Sequence, residues 1–225
     1  MHISGLSHLR GLLIFLTLAL FLSIFLFSVL HIKDIEPINR MILKITQSPS
    51  LKLNINQRIL YNQKILNHNI EFMANHLTKQ EIAHMNEVYA KISFFNIIQI
   101  VLSILTIIDF IIVLKMVKHN KKFKPDIKRL FVRDILVIVI VIIGLVLLSF
   151  LLFPYIFVLF HKCLFRTQWQ FPASSVLINI YPFSYFVIYF AVSTITALII
   201  FVILLFLMYK CLQSAYRLRK AEKKK

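Results

Sequence analysis

The chain has 225 residues, 59% of them hydrophobic and only 16% charged, with a mean hydropathy of +0.81. That excludes a soluble domain, which buries a core but has nowhere to hide this much apolar surface. The net charge of +17 also does not read as nucleic-acid binding, because Lys115, Lys118, Lys121, Lys122, Lys124, Lys128, Arg129 and Arg133 crowd one connection and Lys210, Arg217, Arg219, Lys220 and Lys223–Lys225 crowd the end, each beside an apolar run, as in cytoplasmic loops facing anionic lipid.

A helix that crosses the hydrocarbon needs about 20 apolar residues. Gly11–His31 is the first such run; it is longer than a secretory h-region, has only Arg10 in front and no small-x-small site behind, and reads as a retained span. Residues 32–93 form a large loop. Within it, Met41–Thr46 and the alternating Leu51–Ile55, joined by Gln47-Ser-Pro-Ser50, predict a β-hairpin. Gln57–Met73 has helical spacing of Ile59, Leu60, Ile65, Leu66 and Ile70, which also fits an amphipathic helix on the outer leaflet. Thr78-Lys-Gln-Glu81 has the form of a capping box opening another helix, on which Glu81, His84 and Glu87 are neighbours. A carboxylate beside an imidazole orients the ring and raises its basicity.

Phe94–Met116 is the second span and carries Asp109, the one acid deep in a crossing. At that depth an acid is either functional or held protonated or hydrogen-bonded to a neighbouring helix, and the sequence leaves both readings open. Residues 117–134 form a basic cytoplasmic loop, and 135–153 the third span. Pro154 disturbs the helix, so residues 154–182, with His161, Trp169, Phe171 and Pro172, read as an outer interfacial segment. The fourth span is 183–211, followed by a cytoplasmic tail, 212–225. The basic connection places both termini inside and residues 32–93 and 154–182 outside. The expected architecture is an all-α transmembrane, four-helix polytopic protein with a small α+β extracellular domain in the first outer loop. Cys163 and Cys211 then lie on opposite sides of a core about 30 Å thick and form no bridge.

Several chemistries lack their motifs. There is no His-Glu-x-x-His for a zinc hydrolase, no Gly-rich phosphate loop and no Gly-x-Ser-x-Gly elbow. Glu81-x-x-His84 has no second copy to build a di-iron bundle, and no inverted repeat of the transporter kind is present. No cofactor or metal is expected. Candidates by position are His84 on the capped helix and His161 at headgroup level; Cys163 is a thiol two residues away. The plainer alternative makes both histidines interfacial, like His2, His8, His31, His68, His76 and His119.

Two stretches carry a resemblance. Glu81-Ile-Ala-His84-Met-Asn-Glu87-Val88 is similar to the Glu-x-x-His-Met-x-Asp-Val motif of a family of four-helix bacterial membrane proteins, with Glu87 in place of Asp. Phe160-His161, then Phe165, Trp169, Phe171-Pro172, Leu177-Ile178 and Tyr181-Pro182, resembles that family's second motif, although Arg166-Thr167-Gln168 lacks its Asn. The family is the lipoprotein intramolecular transacylase of low-GC Gram-positive bacteria. The resemblance implies that the sn-2 acyl chain of a diacylglyceryl lipoprotein moves to the α-amino group of its N-terminal Cys, giving the lyso form. His84 and His161 match the family's two key histidines. Glu81 and Glu87 then support the site, and Arg166 and Trp169 are candidates for contact with substrate. The implied partners are diacylglyceryl lipoproteins and membrane lipids, with no nucleic acid and the oligomeric state left open. The competing reading is a non-catalytic assembly or sensor protein whose outer domain binds a partner; a transporter using Asp109 is a third.

Overall fold

The computed structural model describes residues 2–46, 53–119 and 126–222. Among these the chain is helical, in the order α1 (His2–His31), a 3-10 turn (Ile32–Asp34), α2 (Glu36–Ile45), α3 (Ile55–Leu66), α4 (Ile70–His76), α5 (Lys79–His119), α6 (Asp126–Leu151), α7 (Phe153–Leu164), α8 (Val176–Ile180) and α9 (Phe183–Glu222). The stretches His8–Asp34, Lys79–Lys118 and Phe183–Ser214 are long and apolar enough to cross a membrane. A fourth arises if Ile135–Leu151 and Phe153–Leu164, bent by 85° at their junction, count as one span. Pro154 in the first turn of α7 starts a new helix there.

The chain divides into two units. One comprises residues 1–27, 97–148 and 195–225, segments of α1, α5, α6 and α9. Its core includes Leu13, Leu16, Val113, Ile142, Ala197 and Phe201. The Ser23 and Ser103 hydroxyls meet at 2.7 Å and fix the antiparallel register of α1 and α5. Most of the remaining surface is apolar, with Ile97, Ile107, Ile140, Leu145 and Ile199 exposed, as lipid contact requires.

The other unit comprises residues 28–96 and 149–194. Ile42, Leu43, Ile65, Met73, Met85, Leu177, Ile180 and Tyr185 form its core. The predicted β-hairpin is not there: the described residues contain no strand, and the α+β expectation is replaced by an all-helical unit. Pro37 and Glu36 start α2, and its buried residues Asn39, Ile42 and Leu43, with Thr46 just beyond, recur at helical rather than alternating spacing. Asn54 ends the second predicted strand because it caps α3: its side chain accepts from Gln57 N, and the Gln57 side chain accepts from Asn54 N. The predicted turn, residues 47–50, and Leu51 and Lys52 lie outside the described residues, as do Lys121, Lys122, Lys124 and Lys223–Lys225.

The helical run expected over 57–73 breaks at Asn67-His68-Asn69. His68 takes φ 51°, and Asn69 caps α4 by accepting from Phe72 N. The Thr78–Glu81 capping box is present: Thr78 N donates to Glu81 Oε2 at 2.7 Å, and Glu81 N donates to Thr78 Oγ1 at 3.3 Å. At 41 residues α5 is about 60 Å long, twice a hydrocarbon core. Lys79, Glu81, Glu87 and Lys91 all lie in its first third, and from Ile92 to Leu114 its one charged residue is Asp109.

Candidate functional site

In the second unit, the start of α5, the end of α7 and the segment 165–175 converge on two imidazoles. His84 and His161 are buried, whereas His8, His68 and His76 are exposed and His31 is half-exposed. Their rings stack at 22° with centroids 6.2 Å apart. Aromatic rings enclose both. His84 touches Phe165 and Phe171 (centroids 4.8 and 5.6 Å), and His161 touches Phe157, Trp169 and Phe165 (4.1, 4.8 and 5.2 Å).

The two rings differ in their bonds. His161 Nδ1 lies 2.8 Å from the Phe157 carbonyl oxygen, one turn back on α7. A carbonyl only accepts, so the proton sits on Nδ1 and the neutral ring leaves Nε2 with a free lone pair. His84 Nδ1 is buried and has no hydrogen-bond partner among the described residues. Burial depresses both pKa values. His84 falls to about 4, through desolvation first and His161 second, with Glu87 opposing. His161 is lowered by desolvation, against which its bond to Phe157 acts. Both are neutral at pH 7.

Neither flanking acid bonds to His84. Glu81 is buried and joins two helix N-termini: its Oε2 takes the Thr78 amide, and its Oε1 accepts from the Ser175 hydroxyl and the Leu177 amide at 3.2 Å. Burial pushes the carboxyl up, and these bonds outweigh it and leave it below its usual range. Glu87 Oε2 accepts the Arg166 and Thr167 amides at 3.0 and 3.1 Å and the Thr167 hydroxyl at 2.9 Å. The Thr167 amide contributes most to holding its carboxyl low. The predicted carboxylate–imidazole contacts are thus replaced by carboxylate–backbone anchors. They tie the histidine-bearing helix to the segment that carries Phe165, Trp169 and Phe171.

The other candidates fall as follows. Trp169 packs against His161 with the rings tilted by 39°, while the Arg166 side chain is exposed and only its amide is engaged by Glu87. Cys163 is an exposed free thiol. Asp109 belongs to the other unit, 5% exposed, and its Oδ2 has no hydrogen-bond partner among the described residues. No group of three or more metal-ligating side chains exists among the described residues. Ser175, Thr167, Phe157 and Arg58 were not singled out in the sequence. Ser175, the N-cap of α8, had a signal in Ser-Ser before an apolar run; the others had none.

These features define a helical membrane protein with a buried, carboxylate-braced histidine pair. A family model described as lipoprotein intramolecular transacylase Lit matches residues 6–186. The chain belongs to that family and is an acyltransferase, so the non-catalytic reading falls away. No curated protein and no solved structure matches it significantly.

Proposed function

We propose that the protein moves an acyl chain within a single lipoprotein molecule, from the sn-2 ester of the diacylglyceryl group to the α-amino group of the N-terminal Cys. The amine nitrogen attacks the ester carbonyl carbon, a C–N bond forms, the C–O bond to glycerol breaks, and the amine's proton ends on the glycerol oxygen. An amide replaces an ester, so no external energy source is required. Nucleophile and acyl donor are already tethered, and the enzyme's task is to align them and move one proton.

The observation that carries this reading is the hydrogen bond from His161 Nδ1 to Phe157, which leaves Nε2 bare in a neutral ring. His161 is the general base. It takes the proton from the amine, whose pKa of about 7.7–8.0 makes the transfer easy, and returns it to the leaving glycerol oxygen. The transient imidazolium sits against Phe157 and Trp169, whose ring faces attract a cation. His84, neutral and with no partner at Nδ1 among the described residues, donates an N–H to the tetrahedral oxyanion. Glu81 and Glu87 hold the histidine helix against the aromatic segment that takes the acyl chains.

For topology, four crossings with both termini in the cytoplasm put the histidines at the outer headgroup level. Three observations favour this: the positive connection between α5 and α6, the charged first third of α5, and the 85° turn that takes α7 off the direction of α6. The test is His161→Ala, expressed in a bacterium without other N-acylation. Diacylglyceryl lipopeptide is expected to accumulate unconverted by mass spectrometry while the variant protein is present in the membrane. Full conversion to the lyso form would sink the assignment.

A further inference from the structure

The five-residue helix α8 has a buried charge at each end. At its N-terminus Glu81, 2% exposed, accepts from the Ser175 hydroxyl and the Leu177 amide. At its C-terminus Arg58, 4% exposed, donates from Nη2 to the Ile180 carbonyl at 3.0 Å. Arg58 also gathers the end of α2: Nη1 donates to the Leu43 carbonyl at 2.8 Å and to the Thr46 carbonyl, and Nη2 to Thr46 Oγ1 at 3.3 Å. Each charge therefore satisfies the orphan backbone groups of two helices, the carboxylate at the starts of α5 and α8, the guanidinium at the ends of α2 and α8.

The signs are those that the helix dipole favours, negative at the start and positive at the end. No carboxylate lies within ion-pair distance of Arg58 among the described residues, and its Nε has no partner there. A bare guanidinium buried in this way needs compensation, and three backbone carbonyls and a hydroxyl supply it. The consequence reaches the histidines. Glu81 lies one turn before His84 on α5, and the segment entering α8 brings Phe171 against the His84 ring at 5.6 Å.

We infer that Arg58 and Glu81 act as a pair through α8, and that Arg58 is a positioning residue that sets the seat of His84. The inference rests on His84 belonging to the reacting site. Removing either charge leaves the other as a lone buried charge, whereas removing both leaves no buried charge at α8. Arg58→Met and Glu81→Gln are each expected to lower Tm in detergent, and the double variant to lower it by clearly less than the two losses combined. Additive losses would overturn the pairing.

Arg58→Lys keeps the charge but cannot reach all four acceptors from one planar group. On diacylglyceryl lipopeptide the purified, folded Lys variant is expected to show kcat reduced about tenfold, with KM changed by less than about twofold. In labelled-histidine NMR the His84 resonance is expected to move, and the His161 resonance, fixed within α7, to stay. A lowered Tm with kcat and the His84 resonance both unchanged would reduce Arg58 to a fold stabiliser and overturn the positioning role. Full activity in His84→Ala would overturn the functional reading itself, a result separable from the Tm measurements on Arg58 and Glu81.

Discussion

His84 and His161 stack at 22° with centroids 6.2 Å apart, yet only one of them has its tautomer set by the protein. That asymmetry separates their roles by substitution. Glutamine offers an N–H donor but no base at neutral pH. His161→Gln is expected to be as inactive as His161→Ala, a loss of about 10²–10⁴ in kcat. His84→Gln is expected to keep more activity than His84→Ala, whose loss is about 10²–10³. Equal rates for the two His84 variants, with His161→Gln active, would reverse the assignment. The readout is lyso-form production by purified protein in proteoliposomes.

The depressed imidazole pKa values set two pH responses. Burial holds His84 at about 4 and lowers His161, favouring the neutral ring in both, so the rate is expected to follow deprotonation of the substrate amine and to rise up to about pH 8. For stability, His84 has a folded pKa of about 4, below its ordinary 6.5, so the unfolded chain takes the proton first. The stability is full above pH 6.5 and is lost as pH falls from there towards 4. Tm measured across that range is expected to drop in the wild type and to drop less in His84→Phe.

Glu87 tests whether the acids serve the histidine or the backbone. All three of its bonds use Oε2 as an acceptor, which a glutamine oxygen reproduces. Glu87→Gln is expected to retain most activity, and Glu87→Ala to lose about tenfold or more as the 166–167 turn comes loose from α5. Equal losses in both, measured as kcat/KM, would instead assign its charge a direct role.

Much of this was legible in the chain itself, for reasons that differ by element. The apolar runs and the Thr78–Glu81 box were local, and the capping bonds form as written. His84 and His161 were visible as motif residues, but their approach across 77 positions is a product of packing between α5 and α7 and has no local trace. The hairpin failed for two reasons. Met41–Thr46 buries Ile42, Leu43 and Thr46 on one helical face, and the alternation after Leu51 runs into the Asn54 cap. A capping box written Asn-x-x-Gln was a signal as good as the one recognised at Thr78. Arg58 was one of 26 basic residues, and only its bonds to three carbonyls at the ends of two separate helices, α2 and α8, distinguish it.

Asp109 supplies the remaining test, against a transport function. From the Ser23–Ser103 contact, six residues back along α1 and six forward along antiparallel α5 bring Thr17 level with Asp109. Thr17 is 1% exposed and already donates its hydroxyl to the Leu13 carbonyl at 2.7 Å, leaving lone pairs on Oγ1. A buried acid at that level has the surroundings of a helix–helix contact and belongs to the unit that lacks His84 and His161. Asp109→Asn conserves shape and hydrogen-bonding capacity, and conversion of diacylglyceryl lipopeptide is expected to stay within about twofold of wild type, as for most substitutions that leave packing intact. A proton or ion pathway through Asp109 requires the opposite, since an amide does not titrate: the Asn variant would then lose conversion while His161 and its bond to Phe157 remained in place.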